Sequence, residues 1–500
     1  MSTRGASPKN SGHHPIVSQM LTEGVKLNIG GISRDSENGA TFDTLDPSTG
    51  KKLTTVSKAG QADVDHAVRV ARRAFESGSW SRATPAYRER VLLRFAELVD
   101  GNIEALAQLD AIDAGAPLGT AIGAAQRTAV HFRYFAGWAT KLHGITIPVS
   151  TEDKWLNFTK REPIGVVASI IPWNTPIDNA TWKLAAPLAA GCSVILKPAD
   201  LTPLSAELLG RLLYEAGLPE GTLTILQGAG DVGAALASHD DVDKIAFTGS
   251  TAVGREIVRA SAGNLKRVSL ELGGKSPAVV FDDANLELTV PGVFNGMFYN
   301  AGQICCASSR VFVQESIHEE FVAALTEHAR KVTLGGGFDD AQLGPVISEK
   351  QFDRVADYIG VGIGEGATPV LGGVDAPLRD APGYFIKPTI FTDVTSKMRI
   401  AQEEIFGPVL GVSRFASEDE LQVEANASVY GLSASVWTQD IGRALRTTDA
   451  LQTGIVWVNG HTVLDPASPF GGWKQSGYGK ELGFEVLNNY LNTKSVWMRY

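Results

Sequence analysis

The sequence predicts an α/β protein built on a doubly wound parallel sheet, with a second α/β unit and a small β element. Two observations carry this prediction. Apolar β-branched runs alternate with helical runs from residue 164 onward, as in a buried parallel sheet. The 500 residues also exceed the usual size of one hydrophobic core, so two or three domains are expected. The strand-like runs are 164–171, 193–197, 222–226, 244–248 and 267–271.

The first third of the chain is predicted to form a helical cover. Residues 1–20 mix small and polar residues and lack the apolar core of a signal peptide, so we expect a flexible tail that binds no metal. Residues 62–77 carry apolar side chains at helical spacing. Thr84 followed by Pro85 is typical of a helix start, and further helix is expected to about Leu142.

Two short segments are predicted to form β-structure outside the main sheets. Residues 145–162 place apolar residues among polar ones around a proline, which indicates a hairpin. Residues 487–500 end the chain in a short apolar extended stretch. Because an open apolar edge strand promotes aggregation, we expect this stretch to pair with another subunit.

The composition excludes several classes of function. A net charge of −10 argues against a nucleic-acid partner, and no apolar run approaches the length of a membrane span. The three cysteines give no disulfide framework, and two of them, Cys305 and Cys306, are adjacent. A reducing compartment is therefore expected, and we predict a cytoplasmic protein.

Cys305 is the candidate nucleophile. It follows a predicted helix at 286–300, within a second α/β unit whose strands are predicted at 278–281 and 310–313. A thiolate nucleophile needs a lowered pKa, partial access and nearby donors, and Gly302 lets a backbone amide approach an oxyanion. Most isolated cysteines are buried and inert, so this assignment depends on residues elsewhere in the chain.

Two glycine motifs are candidates for phosphate binding. The stretch from Gly228 to Gly233 matches G-x-G-x-x-G after a strand, but the position about 20 residues further on is Ser250 and not an acid. A tight strand-to-helix turn is the alternative. Thr248 and Gly249 end another strand just before a predicted helix, and the free backbone amides at the start of that helix suit a phosphate. The alternative is that Ser250 only caps the helix.

Polar residues at further strand ends are also candidate site residues. Lys197 and Asp200 follow one strand and suit the hydroxyls of a ribose, with a solvated ion pair as the alternative. Glu271 is a candidate general base, because an apolar strand end raises the pKa of a carboxyl group. Asn174 offers its amide to an oxyanion, unless it only forms an Asx-type turn.

Seven short motifs occur in one order along the chain. They are Pro172-Trp173-Asn174, Lys197-Pro198, Phe247-Thr248-Gly249-Ser250, Glu271-Leu272-Gly273-Gly274-Lys275-Ser276-Pro277, Gly302-Gln303-Ile304-Cys305, Glu403-Glu404-Ile405-Phe406-Gly407-Pro408 and Pro469-Phe470-Gly471-Gly472. Together they resemble the motif series of the NAD(P)-dependent aldehyde dehydrogenase superfamily, in its non-acylating, hydrolytic type. The resemblance covers about residues 20–500.

The resemblance implies a division of the chain into three units. A Rossmann-like NAD-binding domain is expected at 21–144 and 163–272, and a catalytic domain at 273–486. A small β element for oligomerisation is expected at 145–162 and 487–500. A homo-oligomer follows, either a dimer or a dimer of dimers.

The resemblance also implies NAD as the cofactor, with NADP as the alternative, and no metal. Asp200 is shorter than the glutamate often found at this position, but an acid there still favours NAD. The expected cofactor-binding residues are Ile171, Pro172, Trp173, Lys197, Asp200, Gly230, Phe247, Thr248, Gly249, Ser250, Leu272, Glu404 and Phe406.

The implied reaction is the oxidation of an aldehyde to a carboxylic acid. Cys305 attacks the aldehyde, and Asn174 and the Cys305 backbone amide hold the oxyanion. Loss of a hydride leaves a thioester, which is hydrolysed by a water that Glu271 activates, with Lys183 stabilising or relaying to Glu271. Acylating relatives that pass the acyl group to coenzyme A usually lack a base at this position, so hydrolysis is favoured here, and acyl transfer to coenzyme A is the alternative. A catalytically silent binding protein on the same fold is a further, less expected one.

The substrate is a small aldehyde, and the pocket residues are expected from their positions in the motifs. Thr175 and Asn179 replace residues that are apolar in many relatives, which indicates a roomy, somewhat polar pocket near Asp178. No arginine stands at the lining positions, so a carboxylate-bearing aldehyde lacks an obvious partner. Medium aliphatic or aromatic aldehydes are expected. The lining residues are Thr175, Asn179, Trp182, Tyr299, Ile304, Leu464 and Phe470.

Overall fold

The structure is a computed structural model that describes residues 12–500. Its helices are α1 (Pro15–Glu23), α2 (Gln61–Ser77), α3 (Pro85–Asp100), α4 (Ile103–Asp113), α5 (Leu118–Ala139), α6 (Pro176–Ala190), α7 (Leu204–Glu215), α8 (Gly230–Ser238), α9 (Thr251–Ser261), α10 (Leu286–Phe298), α11 (His318–Arg330), α12 (Glu349–Gly364), α13 (Arg399–Gln402), α14 (Glu418–Asn426) and α15 (Ile441–Ala450).

The strands are β1 (Leu27–Ile29), β2 (Ile32–Arg34), β3 (Thr41–Asp46), β4 (Lys51–Ser57), β5 (Thr146–Ile147), β6 (Trp155–Pro163), β7 (Val166–Ile170), β8 (Ser193–Lys197), β9 (Leu223–Ile225), β10 (Lys244–Thr248), β11 (Arg267–Glu271), β12 (Pro277–Val280), β13 (Arg310–Gln314), β14 (Thr368–Leu371), β15 (Thr389–Thr392), β16 (Val409–Phe415), β17 (Tyr430–Gly431), β18 (Ser433–Trp437), β19 (Ile455–Val458), β20 (Trp473–Lys474), β21 (Gly477–Tyr478) and β22 (Leu491–Arg499).

The first sheet confirms the predicted doubly wound fold. Its order is β2-β1-β9-β8-β7-β10-β11-β21, and the strands from β9 to β11 in this order run parallel. Strands β7 and β8 are buried along their whole length, because α2 and α6 pack against this part of the sheet. This burial explains their continuous apolar sequence. The chain moves outward from β7 in both directions, so the order reverses between β7 and β10.

The second sheet belongs to the second α/β unit. Its order is β14-β15-β16-β13-β12-β18-β19, and every pair except β14 with β15 is parallel. Strand β21 (Gly477–Tyr478) does not join this sheet, although the sequence placed it in the catalytic domain. It pairs with β11 and forms an edge of the first sheet. The two sheets therefore share the C-terminal part of the chain.

The helical cover begins where its sequence signals predict. Thr84 caps α3, because its side-chain oxygen accepts from the backbone N–H of Tyr87. The α6 helix starts with Pro176 at its first turn and ends at Gly191, whose φ of 96° is a conformation that favours glycine. Helix α6 thus carries the chain from the end of β7 to the start of β8.

One expectation about the chain ends is corrected. Residues 15–20 are not part of a flexible tail, because they belong to α1, which buries Val17 and Met20 in the main core. Residues 1–11 lie outside the described residues. The C-terminal strand β22 pairs along its full length with β6 of its own chain, and its pairing with another subunit stays a prediction. Strand β5 completes this small sheet on the far side of β6.

Within residues 12–500, no helix combines the length and the apolar character that a membrane span requires.

The α1 helix is expected to contribute to stability through its buried face. Met20 is 1% exposed in the core, so Met20→Ala removes buried methylenes and should lower the free energy of unfolding by about 2–5 kcal/mol. Gln19 is exposed on the same helix, and Gln19→Ala should change it by less than about 0.5 kcal/mol. Thermal unfolding of both variants checks this, and equal midpoints would show that α1 does not pack as described.

Candidate active site

The candidate site lies at the carboxyl ends of the parallel strands, where the strand order reverses. Ligands of doubly wound sheets bind in the crevice at this position. The ends of β7, β10 and β11 bring Asn174, Thr248 and Glu271 to one edge of the first sheet. The segment with Cys305 approaches this edge from the second unit.

Cys305 follows an unusual left-handed turn. Helix α10 ends at Phe298, and the short 3₁₀ segment Tyr299–Gly302 follows it. Asn300, Ala301 and Gly302 have φ values of 52°, 54° and 73°, so three successive residues are left-handed. Residues other than glycine hold this conformation only where the surroundings enforce it, at a cost of about 1–3 kcal/mol each.

Hydrogen bonds of Gln303 and Asn174 hold this left-handed turn in place. The Gln303 side chain donates to the carbonyl of Asn300 at 3.1 Å and accepts from the amide of Ile347 at 2.9 Å. Asn174 donates through Nδ2 to the Gln303 carbonyl at 2.8 Å, and its own carbonyl accepts from Asn300 Nδ2 at 2.7 Å. A side-chain amide carries two hydrogens, so Asn174 keeps one for a group bound beside Cys305.

The Cys305 thiol is partly accessible but is not activated by the protein alone. Its neighbour Cys306, burial and the negative charges of Glu271 and Glu404 all raise the pKa of the Cys305 thiol well above its usual value. This differs from the lowered pKa that a nucleophilic cysteine needs. The thiolate therefore requires either a proton acceptor or a positive charge that binds nearby.

Glu271 has the character of a proton acceptor. It is 4% exposed at the end of β11, and its Oε2 has no hydrogen-bond partner within residues 12–500. Burial, and then the charge of Glu481, raise the pKa of the Glu271 carboxyl well above its usual value. The carboxylate lies against Gly471, where a Cβ would come within 2.6 Å of Oε1.

Lys183 is paired with Glu481 and not directly with Glu271. Both side chains are 1% exposed and form a buried ion pair. The positive charge of Lys183 nevertheless lowers the pKa of Glu271, while Glu481 raises it. Lys244 lies in the same buried group: its Nζ donates to Ser269 Oγ at 2.9 Å, and burial lowers its pKa to about 7.

The predicted cofactor residues of the first sheet are brought together. Lys197 is 5% exposed at the end of β8, within electrostatic range of Asp200, and burial lowers its pKa. Ser250 caps α9 by accepting from the amide of Val253 at 3.3 Å. The hydroxyl of Thr248 is buried without a partner in the described part of the chain. Of the remaining residues, Ile171 and Phe247 are buried at the ends of β7 and β10, Gly249 lies against the Phe247 ring, and Gly230 begins α8.

A second group of predicted cofactor residues lies between the two units. Trp173, next to Pro172, contacts Phe406 edge to face with ring centroids 5.3 Å apart. Glu404 Oε1 accepts from the amide of Gly274 at 3.1 Å, and burial raises the pKa of Glu404 to about 7. Leu272 is buried and donates its amide to the carbonyl of Ser476.

These residues fit a dinucleotide. Lys197 and the free amides at the start of α9 suit phosphate and ribose oxygens, and the partnerless Thr248 hydroxyl is a further donor. The glycines keep the crevice open, since a side chain at Gly249 would collide with Phe247 and one at Gly273 with Glu404.

The predicted substrate residues lie on α6, on the Cys305 segment and on the C-terminal loop. Thr175, Asn179 and Trp182 share one face of α6 at helical spacing, and Trp182 packs on Phe470 with ring centroids 5.2 Å apart. Asn179 donates to the Thr175 hydroxyl at 2.7 Å. Ile304 and Phe470 are buried, while Tyr299 and Leu464 are half-buried beside the same core.

The chain is similar to aldehyde dehydrogenases along almost its whole length. The model of the aldehyde dehydrogenase family matches residues 33–496. Aldehyde dehydrogenase family 2 member C4 of Arabidopsis thaliana is 47% identical over 478 residues, which cover 95% of this chain and 94% of that protein.

Two solved structures are similar to this one. The NAD+ complex of an aldehyde dehydrogenase from Bacillus cereus has a TM-score of 0.96 and 46% identity, over 98% of this chain and 100% of that one. A betaine aldehyde dehydrogenase from Staphylococcus aureus in complex with NAD+ has a TM-score of 0.94 and 40% identity, over 97% of each chain.

The chain belongs to the aldehyde dehydrogenase family. The family resemblance of the motif series is thereby confirmed, as is the prediction of an enzyme that oxidises aldehydes.

Two residues of this aldehyde dehydrogenase lie beside predicted site residues although the sequence did not indicate that they do. Glu481 pairs with Lys183, and Arg127 of α5 donates to Asp178 of α6 at 3.0 and 2.7 Å. Arg127 is not one of the predicted lining positions, but it reaches Asp178 on the helix that carries three of them. Arg127 is one of two arginines in the alanine-rich helix α5, and an exposed arginine would give the same signal.

The left-handed turn before Cys305 is expected to require glycine at 302. A Cβ there would lie 2.4 Å from the Gly407 carbonyl, and φ is 73°, so Gly302→Ala should destabilise the aldehyde dehydrogenase by about 1–3 kcal/mol. Gly360 lies exposed inside α12 with no atom within 4 Å of its Cβ position. Gly360→Ala should therefore stabilise it by about 0.5–1 kcal/mol. A fall in melting temperature for the first variant and a rise for the second check this contrast.

Proposed function

We propose that this enzyme oxidises an aldehyde to a carboxylic acid with NAD, through a thioester on Cys305 that is hydrolysed by water. The observation that carries the proposal is the convergence of two groups on this thiol. Asn174 is hydrogen-bonded to the Cys305 segment, and Glu271 lies close enough for its charge to raise the pKa of the same thiol. Oε2 of Glu271 has no hydrogen-bond partner within residues 12–500.

The first step is attack of the Cys305 thiolate on the aldehyde carbon. The second N–H of the Asn174 amide and the Cys305 backbone amide stabilise the oxyanion that forms. When bound, NAD supplies the hydride acceptor, and its positively charged ring favours the thiolate form of Cys305. The residues that would hold NAD are Lys197, Asp200, Thr248, Ser250 and Glu404, and Trp173 and Phe406 would lie beside it. An acid at position 200 disfavours the additional phosphate of NADP.

The second step is hydrolysis of the thioester. Glu271 accepts a proton from the attacking water, and its raised pKa makes it a stronger base than an ordinary carboxylate. Lys183 and Glu481 act as positioning residues, because their charges set the pKa of Glu271 without contact with the substrate. Acyl transfer to coenzyme A is not favoured, since Glu271 provides a base for water.

We further propose a homo-oligomer in the cytoplasm. The terminal strand β22 lies at the end of the small sheet, and it exposes Trp497, Met498 and Tyr500. An exposed apolar edge of this kind favours association with a second subunit, in a dimer or a dimer of dimers. A reducing compartment keeps the thiol of Cys305 available, which supports the cytoplasm.

The direct test combines NAD, a panel of aldehydes and three variants, without coenzyme A. We expect wild type to form NADH continuously, Cys305→Ala to form none, and Glu271→Gln to form at most one NADH per active site. Cys306→Ala is the matched control, because it removes the adjacent thiol, and it should still form NADH. NADH formation by Cys305→Ala would contradict the assigned nucleophile, and a strict requirement for coenzyme A would contradict hydrolysis.

Removal of the negative charge of Glu481 and removal of the positive charge of Lys183 are expected to shift the pH dependence of kcat in opposite directions. Glu271 must be ionised to accept a proton, so hydrolysis rises with pH through its raised pKa. Glu481→Gln removes the charge that raises this pKa, so the acid limb of kcat should move to lower pH, by about one unit. Lys183→Met should move it to higher pH.

Both variants break a buried ion pair, and each should also lose about 3–5 kcal/mol of stability. The pH profiles are therefore measured well below the melting temperature of the variants. Shifts in the same direction for both variants would show that the loss of packing, and not the charge, governs Glu271.

A further inference from the structure

We infer that the ion pair Arg127–Asp178 and the Tyr299 hydroxyl form a polar wall of the substrate site, and that this wall selects neutral aldehydes bearing a hydroxyl group. The inference rests on the proposed function, since it concerns the aldehyde that reaches Cys305. It names the substrate class that the motifs left open.

The wall lies on the face of α6 that carries the predicted substrate residues. Asp178 is on the first turn of α6, three residues after Thr175 and four before Trp182, so all three side chains leave the same face of the helix. This turn follows Asn174, whose amide holds the Cys305 segment. A group on this face therefore lies beside the path to the thiol.

Arg127 reaches the wall from the neighbouring helix α5. Its Nε and Nη2 donate to the two carboxylate oxygens of Asp178 at 3.0 and 2.7 Å, in a bidentate pair. The hydroxyls of Thr128 and Thr181, 2.8 Å apart, fix α5 against α6 at the next position. Tyr299, at the start of the Cys305 segment, lies within hydrogen-bonding reach of Arg127.

The pair is only partly withdrawn from water, as expected for groups that line an opening. The side chain of Arg127 is 38% exposed and that of Asp178 is 13% exposed. The remaining N–H groups of Arg127 and the free lone pairs of Asp178 are thus available to a ligand. Nearby, the Trp182 indole N–H has no acceptor within residues 12–500.

The charges of the wall disfavour ionic substrates. A substrate carboxylate is attracted by Arg127 but repelled by Asp178. Asp178 also already occupies two of the N–H donors of Arg127. A cation is attracted by Asp178 and by Asp465, which lies within electrostatic range of His131 on α5, but Arg127 repels it. His131 adds no positive charge at neutral pH, because burial lowers its pKa. The balance leaves a neutral ligand as the best match.

A hydroxyl group matches this surface because it both donates and accepts. The hydroxyl donates to Asp178 and accepts from Arg127 or Tyr299. It therefore restores the hydrogen bonds of the water that it displaces. A methyl group of the same size displaces the same water and replaces none of its hydrogen bonds. Sites built to bind a hydroxyl discriminate strongly against the analogue without one. Partial exposure of the pair reduces this effect, and we expect a preference of about tenfold in kcat/KM.

The test compares two pairs of aldehydes in which a hydroxyl replaces a methyl: 3-hydroxypropanal against butanal, and 4-(hydroxymethyl)benzaldehyde against 4-ethylbenzaldehyde. NADH formation is measured with wild type and with Arg127→Met/Asp178→Leu, which replaces the pair by apolar side chains of similar size. In at least one pair, wild type should favour the hydroxyl compound about tenfold, mainly through a lower KM. In the double variant this ratio should fall to near one.

Two further variants separate the wall from general damage to the fold. Arg133→Met/Asp100→Leu makes the same replacements at an exposed ion pair between α5 and the end of α3, and it should keep the wild-type ratio. Tyr299→Phe removes one hydroxyl, changes little else in volume, and should lower the ratio part of the way.

The outcomes are distinct. A wild-type ratio near one in both pairs, or a ratio unchanged in Arg127→Met/Asp178→Leu and in Tyr299→Phe, would overturn the inference while leaving aldehyde oxidation intact. Absence of NADH with every aldehyde in wild type would overturn the proposed function, and the inference with it. A ratio that falls in the wall variants but not in the control pair supports the inference.

Discussion

The left-handed turn at Asn300, Ala301 and Gly302 is the constraint on which the site depends. It reverses the chain after α10 and delivers Cys305 to the strand ends of the other unit. Only a set of buried hydrogen bonds from Gln303 and Asn174 compensates for its strain. In the proposed mechanism Asn174 also stabilises the oxyanion, so one side chain would both hold the Cys305 segment in place and stabilise the charge that forms beside it.

A second constraint is the balance of buried charge behind Glu271. Two carboxyl groups, Glu271 and Glu481, share the interior with Lys183 and Lys244, and the burial of each would be costly alone. Together their formal charges cancel, because two carboxylates face two lysines. This arrangement gives Glu271 a high proton affinity in a water-poor environment, which is what a base for thioester hydrolysis needs.

The sequence was sufficient for features that depend on local patterns. The parallel strands, the Thr84 cap and the strand-end positions of Asn174, Lys197 and Glu271 follow from apolar runs and turn residues, and the structure has them close to the expected positions. The pairing of Lys183 with Glu481, the approach of Arg127 to Asp178 and the left-handed Asn300 and Ala301 were not predictable. Each results from packing between segments far apart in the chain, and none leaves a periodic signal.

The assignment of α1 and of β22 shows the same limit at the chain ends. Residues 15–20 contain only a few apolar side chains, and their burial depends on a core assembled from α3, α4 and other elements. Strand β22 was expected to pair with another subunit. In the structure, β6 of its own chain pairs with one of its two edges. A single sequence shows that an apolar edge needs covering, and it does not show which surface covers it.

Strand β21 has a consequence for the order in which the enzyme acquires activity. The surroundings of Glu271 include Gly471, Gly477 and Glu481, which follow Cys305 far along the chain. During synthesis, domains generally fold from the N-terminus. Cys305 is therefore synthesised before the surroundings of Glu271 are complete. A chain that stops between these two segments would carry the thiol without the groups that set the pKa of Glu271.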